Sequence, residues 1–379
     1  MADRKIFEDV SSAPQAPRAA TPGVLSQGGQ GAARAASRVW LFLLFALLVI
    51  MIAVGGLTRL TDSGLSIVEW APITGAVPPL NAADWQVEFE KYQQIPEFQL
   101  QNSAMTLEEF KVIYWWEWGH RQLGRVIGLV WAVGLIGLAV SRRIPKGWTG
   151  RFVLLGALGG LQGFIGWWMV SSGLEGTMLD VASYRLATHL GLAFVILGLI
   201  AWFILKLSRS DAEHLQARRA RSAPLATASV ILIGFTFIQI LIGALVAGID
   251  AGRNFSDWPL MAGAFFPPEP FSLQPVWRNF FEDDGLVQFT HRMTGYLVGA
   301  LAIWVFFKAR GVANTATRSA GLVLLFAMIF QMVLGIMTVL YAAPLSLAIT
   351  HQIGAVLFWV LALRLRYLAL YPLPQSVRS

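Results

Sequence analysis

This sequence predicts an all-α polytopic membrane protein with eight transmembrane helices, arranged as two pseudo-symmetric four-helix bundles. Three observations support that class. Of 379 residues, 56% are hydrophobic and only 13% charged, with a mean hydropathy of +0.58, well above a soluble domain. Apolar stretches long enough to cross about 30 Å of hydrocarbon recur along the chain. Lysine and arginine collect in alternate connections between them. With no cysteine in the chain, disulfides, thiolate metal sites and CxxC redox chemistry are excluded.

The predicted spans are 39–58, 121–140, 152–171, 187–206, 226–248, 290–307, 320–341 and 348–367. Residues 1–38 are rich in Ala, Pro, Gly, Ser and Gln, and read as a disordered tail. No short apolar segment with a cleavage site precedes the first span, so no cleaved signal peptide is expected. The N-terminal segment holds five Lys and Arg, and 141–151, 206–225, 308–319 and the C-terminal end hold four, five, three and three. The alternate segments 59–119, 172–186, 249–289 and 342–347 hold three, one, two and none. Both termini are therefore expected in the cytoplasm. The net charge of +7 is mostly this asymmetry, which argues against a nucleic-acid partner and for membrane lipid. In the long outer loop, 81–94 reads as a short interfacial helix. Thr106-Leu107-Glu108-Glu109 is a capping box that starts a helix running into the second span. Trp115, Trp116 and Trp118 fit an aromatic belt.

The chain repeats loosely. Span one ends Val54-Gly55-Gly56-Leu57 and span five Val246-Ala247-Gly248-Ile249. Span two opens His120-Arg121-x-x-Gly124-x-x-x-Gly128, and span six His291-Arg292-x-x-Gly295-x-x-x-Gly299. Spans three and seven carry Gln162 with Gly166 and Gln331 with Gly335; spans four and eight open Thr188-His189 and Thr350-His351. Four spans per unit is an even number, so the repeat is parallel. The expected divisions are 1–38 (cytoplasmic tail), 39–207 (first bundle), 208–225 (cytoplasmic linker), 226–371 (second bundle) and 372–379 (cytoplasmic tail).

Of five histidines, His214 lies in a basic connection and reads as solvated. The other four open spans two, four, six and eight. Within each half the two helices run in one direction, so His120 can face His189 and His291 can face His351 across a bundle core, where cofactor sites are built. His120, Gly124 and Gly128 share one helix stripe, as do His291, Gly295 and Gly299. A flat macrocycle needs that bare surface and a small ion does not. The pattern therefore reads as bis-histidine haem in each half, with Arg121, Arg125 and Arg292 as partners for propionates. Taken alone, the glycines also suit helix packing and the arginines also suit snorkelling. Gln162 and Gln331 read as interhelical hydrogen-bonding residues.

The halves differ at one place: Glu117-Trp118-Gly119-His120 in the first, Gln288-Phe289-Thr290-His291 in the second. Glu117 lies one turn outward of His120 on the same face. Near the edge of a haem, a partly desolvated carboxylate can exchange protons near neutrality. Equally, Glu117 and Arg121 have the spacing of an i,i+4 ion pair.

The stretch from Gly55 to Pro79, the motif EWGHRQLGR at 117–125, and FTHRMTGY and ITHQIGAV near spans six and eight resemble the heme A synthase family, over about residues 39–371. The lack of cysteine is similar to its proteobacterial and mitochondrial branch. The resemblance implies an oxidoreductase of the bacterial inner membrane. It would oxidise the C8 methyl of heme O to the formyl of heme A by two successive hydroxylations, for cytochrome c oxidase. It implies a resident heme b at His291 and His351, with Arg292 nearby. It implies substrate heme O at His120 and His189, with Arg121 and Arg125 nearby, and Glu117 as the catalytic acid–base, water being favoured as oxygen source. Implied partners are heme O synthase (a protoheme farnesyltransferase) and the cytochrome c oxidase assembly machinery, with homo-oligomerisation left open. The rivals are a diheme electron-transfer cytochrome and a haem-delivery module.

Overall fold

A computed structural model describes residues 24–375, apart from Thr177. Among the described residues the regular secondary structure is helical, with an isolated bridge between Met261 and Ala264 in place of any longer strand. In chain order the helices are α1 (Val24–Leu60), α2 (Ala82–Tyr92), α3 (Pro96–Leu100), α4 (Leu107–Val140), α5 (Thr149–Val170) and α6 (Ser183–Leu207), then α7 (Asp211–Arg218), α8 (Ala223–Gly248), α9 (Asn279–Glu282), α10 (Asp284–Arg310), α11 (Thr315–Leu340) and α12 (Leu345–Leu370). Among the described residues, seven helices are long and apolar enough to cross a membrane: α1, α4, α5, α6, α8, α11 and α12. The protein is thus a multi-pass membrane protein. The predicted sixth span lies in α10, which is as long as its neighbours. Its loop-end turns carry Gln288, Thr290, His291, Arg292 and Thr294, which dilute its apolar character.

Two helix ends depart from expectation. α1 begins at Val24, so residues 24–38 are helical rather than part of a disordered tail, and residues 1–23 lie outside the described residues. Alanine is the strongest helix former, and the run Ala32, Ala33, Ala35, Ala36 carries the helix back from the apolar span. Ala33 and Ser37 are buried in it. α4 begins at Leu107 with the capping box formed: Thr106 Oγ1 accepts from Glu109 N–H, and the Glu109 carboxylate accepts from Thr106 N–H. It runs unbroken to Val140.

α1 packs on α4 and α6, and α5 packs on the same two helices. α8 packs on α10 and α12, and α11 on the same two. α6 meets α8 and α12, and α1 meets α12. At this middle seam Phe194, Ile240, Val356 and Trp359 belong to one buried cluster, and Trp359 Nε1 donates to Phe194 O at 3.1 Å. Gln352 Nε2 donates to Ile52 O at 2.7 Å. Tryptophan buries a large apolar body while its N–H finds a carbonyl; Trp40 does so with Val130 O and Trp131 with Phe152 O.

The two long connections, 61–106 and 249–283, sit at one end, here called the loop end. The first has its own core of Leu65, Ile67, Phe89, Tyr92, Phe110 and Tyr114, so the first turns of α4 are buried by the loop. Arg59, at the end of α1, reaches Asp62 at 2.9 Å, Asp250 at 3.0 Å and Asp180 at 3.4 Å, joining three connections. At the opposite end, His214 is not solvated. It is 4% exposed, with Nδ1 at 2.9 Å from Ser210 O and Nε2 at 3.0 Å from Tyr367 Oη. The turn between α6 and α7 folds the amphipathic helix back onto Tyr367 and Tyr371, and burial holds the imidazole below its usual pKa.

Candidate functional site

His120 on α4 and His189 on α6 lie on helices that share α1 and α5 as neighbours, and His291 on α10 and His351 on α12 on helices that share α8 and α11. All four rings are half-buried. Glycine makes room for each. A methyl group on Gly55 would stand 3.2 Å from His120 Nε2. On Gly166, Gly243 and Gly335 it would stand 2.9, 2.9 and 3.0 Å from Cε1 of His189, His291 and His351. In every case an edge atom of the ring therefore lies close against a neighbouring glycine.

Three of the rings also meet a glutamine. Gln162 Nε2 lies 3.2 Å from His189 Nδ1 and donates to His189 O at 2.9 Å. Gln331 Nε2 repeats this with His351 at 3.2 and 2.9 Å. Gln239 Nε2 does so with His291 at 3.1 and 2.9 Å. Gln162 and Gln331 are thus interhelical, as their places in the repeat suggested. Gln239 escaped sequence reading, although a lone amide between Ile238 and Ile240 was the available signal.

The glycine stripes differ from expectation. A methyl on Gly128 would meet nothing within 4 Å, so that surface is bare. Gly124 faces Met51, Gly295 faces Gln239 and Gly299 faces Met332. Neighbouring side chains fill the grooves that the spacing left open, most fully in the second half.

Glu117 is 2% exposed and has four donors. Its Oε1 accepts from Arg121 Nε at 3.0 Å and Nη2 at 2.6 Å. Its Oε2 accepts from Ser66 Oγ and Ile67 N–H, both at 2.8 Å. Arg121 continues to Ile67 O and Glu69 O. In the second half Gln288 donates to Ala251 O and Asn254 O, and accepts from Arg292, which also holds Phe255 O and Leu260 O. Each half therefore ties its long connection to the helix one turn beyond the histidine. The loop offers donors to Glu117 and carbonyls to Gln288, which gives the acid–amide difference a structural reason beside any chemical one.

Arg125 donates to Pro72 O and Ala71 O, each at 2.9 Å, and to Gln122. All three arginines expected near propionates thus spend donors on loop carbonyls. Arg121 and Arg125 still border an open cleft of about 330 Å³ at the loop end, beside Ile67, Thr74 and Tyr114. Among the described residues no three His, Asp or Glu converge as a site for a bare metal ion. The histidines come as pairs.

The chain as a whole matches a known family. The model for a cytochrome oxidase assembly protein family, COX15-CtaA, fits residues 38–363. The chain belongs to that family. It is 62% identical over 376 residues to the heme A synthase of Dinoroseobacter shibae, covering 99% of this chain and 98% of that one. It is 58% identical to the heme A synthase of a Ruegeria species over the full length of both. To that of Paracoccus denitrificans it is 57% identical, covering 100% of this chain and 99% of that one. The match to the COX15-CtaA family runs from within α1 to within α12, so His120, His189, His291 and His351 all fall inside it.

Proposed function

We propose that this chain is a heme A synthase, an oxidoreductase that converts the C8 methyl of heme O to the formyl group of heme A. The observation that carries the reading is the full-length match to heme A synthases in a chain whose half-buried histidines fall into two repeat-related pairs. We read α1, α4, α5 and α6 as the first four-helix bundle, within 39–207. We read α8, α10, α11 and α12 as the second, within 226–371, with α10 as the eighth span and α7 in the 208–225 linker. The alternate basic connections support cytoplasmic termini and, in a bacterium, an inner-membrane location.

Two imidazoles on helices with shared neighbours, each close against a glycine and, among the described residues, with no third His, Asp or Glu beside them, would suit an iron porphyrin better than a bare ion. His291 and His351 would hold a resident heme b, which when bound supplies one-electron chemistry to the oxidation. His120 and His189 would hold the heme O substrate. Each hydroxylation with water breaks one C–H bond of the methyl carbon and forms one C–O bond. A proton leaves the carbon, a second leaves the water, and an electron pair passes to an electron acceptor outside this chain. The second hydroxylation gives a gem-diol that loses water to leave the formyl. A substrate ligated on both faces has no free iron position for dioxygen, which favours water. Glu117 is the acid proposed to take up protons, since it lies one turn from His120 and its place in the second half is filled by Gln288, which cannot. Arg121 and Ser66 fix its carboxylate. Handover from heme O synthase and delivery to the oxidase assembly machinery follow from the insolubility of substrate and product.

The test is haem extraction from protein co-expressed with a heme O source, separated by reverse-phase chromatography. Heme B together with heme O or heme A is expected. Heme B alone, at two per chain, would point to a diheme electron-transfer cytochrome and remove Glu117's catalytic role.

A further inference from the structure

The two halves fill one place differently. In the second half, a methyl group on Gly299 of α10 would stand 3.0 Å from Met332 Sδ and 3.9 Å from Met328 Cε of α11. Gly299 and Met328 are buried. In the repeat that aligns Gln162 with Gln331, the first-half positions of Met328 and Met332 are Gly159 and Gly163, and that of Gly299 is Gly128. A methyl group on Gly128, Gly159 or Gly163 would meet nothing within 4 Å, and all three glycines are exposed. Methionines therefore seal α10 to α11, where glycines leave a slot between α4 and α5.

The slot has a floor, a back and a head. Trp131 of α4 sits against Gly156 of α5, and its Nε1 donates to Phe152 O at 2.9 Å. Continuing that antiparallel register toward the loop end sets Gly128 level with Gly159 and Gly124 level with Gly163. Met51 of α1 backs Gly124 at 3.5 Å. One turn further come His120 and Gly166, against which the His189 ring lies. His120, unlike the other three, has no side-chain hydrogen bond among the described residues. From Gly156 to Gly166 the slot is about 15 Å long, at a rise of 1.5 Å per residue. Its neighbours Leu129 and Phe164 are exposed, so it is continuous with the lipid-facing surface.

A glycine-lined groove on a membrane helix could accept any apolar chain. Two observations narrow the occupant: the slot runs up to a histidine pair, and the same place is filled in the other half. Heme O differs from protoheme by the farnesyl group added to it. Resting on the heme A synthase reading above, we propose that the slot between α4 and α5 receives the farnesyl tail of the first-half haem. Met328 and Met332 exclude that tail from the second half. The open side lets substrate enter and product leave through the lipid.

The experiment uses the purified full chain with the haem it acquires in cells. Gly159→Met, Gly163→Met and the double variant copy the second half, and Gly163→Ala adds a single methyl group. Extracted haem is separated by reverse-phase chromatography and counted per chain. With a heme O source, the double variant should yield about ten- to a hundredfold less heme O plus heme A per heme B. That is the usual effect of forcing extra methylenes into an occupied apolar space. Gly163→Ala should lose far less. Without the source, heme B per chain should match wild type, because a haem without a tail does not use the slot. Thermal melts should not fall, since the new side chains enter open space and methionine is the better helix former. Unchanged heme O and heme A in the double variant would overturn the proposal and leave the slot to lipid. Loss of heme B without the source would mean that the glycines serve bundle packing, which also overturns it. If wild type grown with the source carried only heme B, at two per chain, the synthase reading itself would fall.

Discussion

Replacing Glu117 by glutamine separates what the carboxylate holds from what it does. Glu117 has two oxygens and four donors; glutamine has one oxygen. If that oxygen stays with Arg121, the new NH2 faces Ser66 and Ile67. The Ser66 hydroxyl can turn round and accept, but the Ile67 N–H cannot. One buried backbone donor loses a charged partner, worth about 1.5–3 kcal/mol, and the Arg121 pair loses its charge. A total near 3 kcal/mol raises local opening of the 63–69 segment by roughly a hundredfold, at about 1.4 kcal/mol per tenfold. Limited proteolysis of the purified protein reads that opening directly, because cleavage follows the open population when closing is fast. Ser66→Ala is the control: it removes one donor, keeps the acid and should open the segment much less. Cleavage of Glu117→Gln within about threefold of wild type would refute the clamp. If Ser66→Ala lost heme A formation as fully as Glu117→Gln, the acid would serve only to hold the loop.

Other expectations follow from the same geometry. Glu97 is 3% exposed beside Tyr92 and Asn102, and burial pushes its pKa up to about 8. The folded state therefore binds a proton that the unfolded state releases near pH 4. Stability is fullest below that and falls as pH rises toward 8. Glu97→Gln should flatten this fall in thermal melts and be the more stable form at pH 8. Gly335→Ala would put a methyl group 3.0 Å from His351; it should cost the second-half haem and spare the first, with Gly166→Ala the reverse, read by extracted haem per chain. Arg59→Gln leaves Asp62, Asp180 and Asp250 facing one another, partly exposed to solvent. A loss of about 1–3 kcal/mol is expected, seen as a lower melting temperature that salt partly restores. An unchanged melt would show that the three carboxylates need no cation.

Much of this protein is legible in its residues because the bilayer enforces simple rules. Length and apolarity mark the long helices, since backbone polar groups in hydrocarbon must be satisfied within the helix. The capping box at Thr106 fixes where α4 starts, because its partners are three residues apart. The repeat and the four histidines were likewise local or periodic signals. The start of α1 was not, because alanine-rich sequence reads as either tail or helix until something packs on it, and here Ala33 and Ser37 are buried.

Tertiary structure alone decided who meets whom. Gln239 lies 52 residues from His291 and Arg121 lies 54 from the Ile67 carbonyl; no spacing rule spans such gaps. His214 looked solvated in a basic stretch until the turn after α6 pressed it against Tyr367. The filling of the glycine grooves by Met51, Gln239 and Met332 is also a neighbour's property. Helix identity follows from short-range hydrogen bonding along one segment. The partners of a buried polar group are set by how whole helices pack, which the chain specifies only jointly.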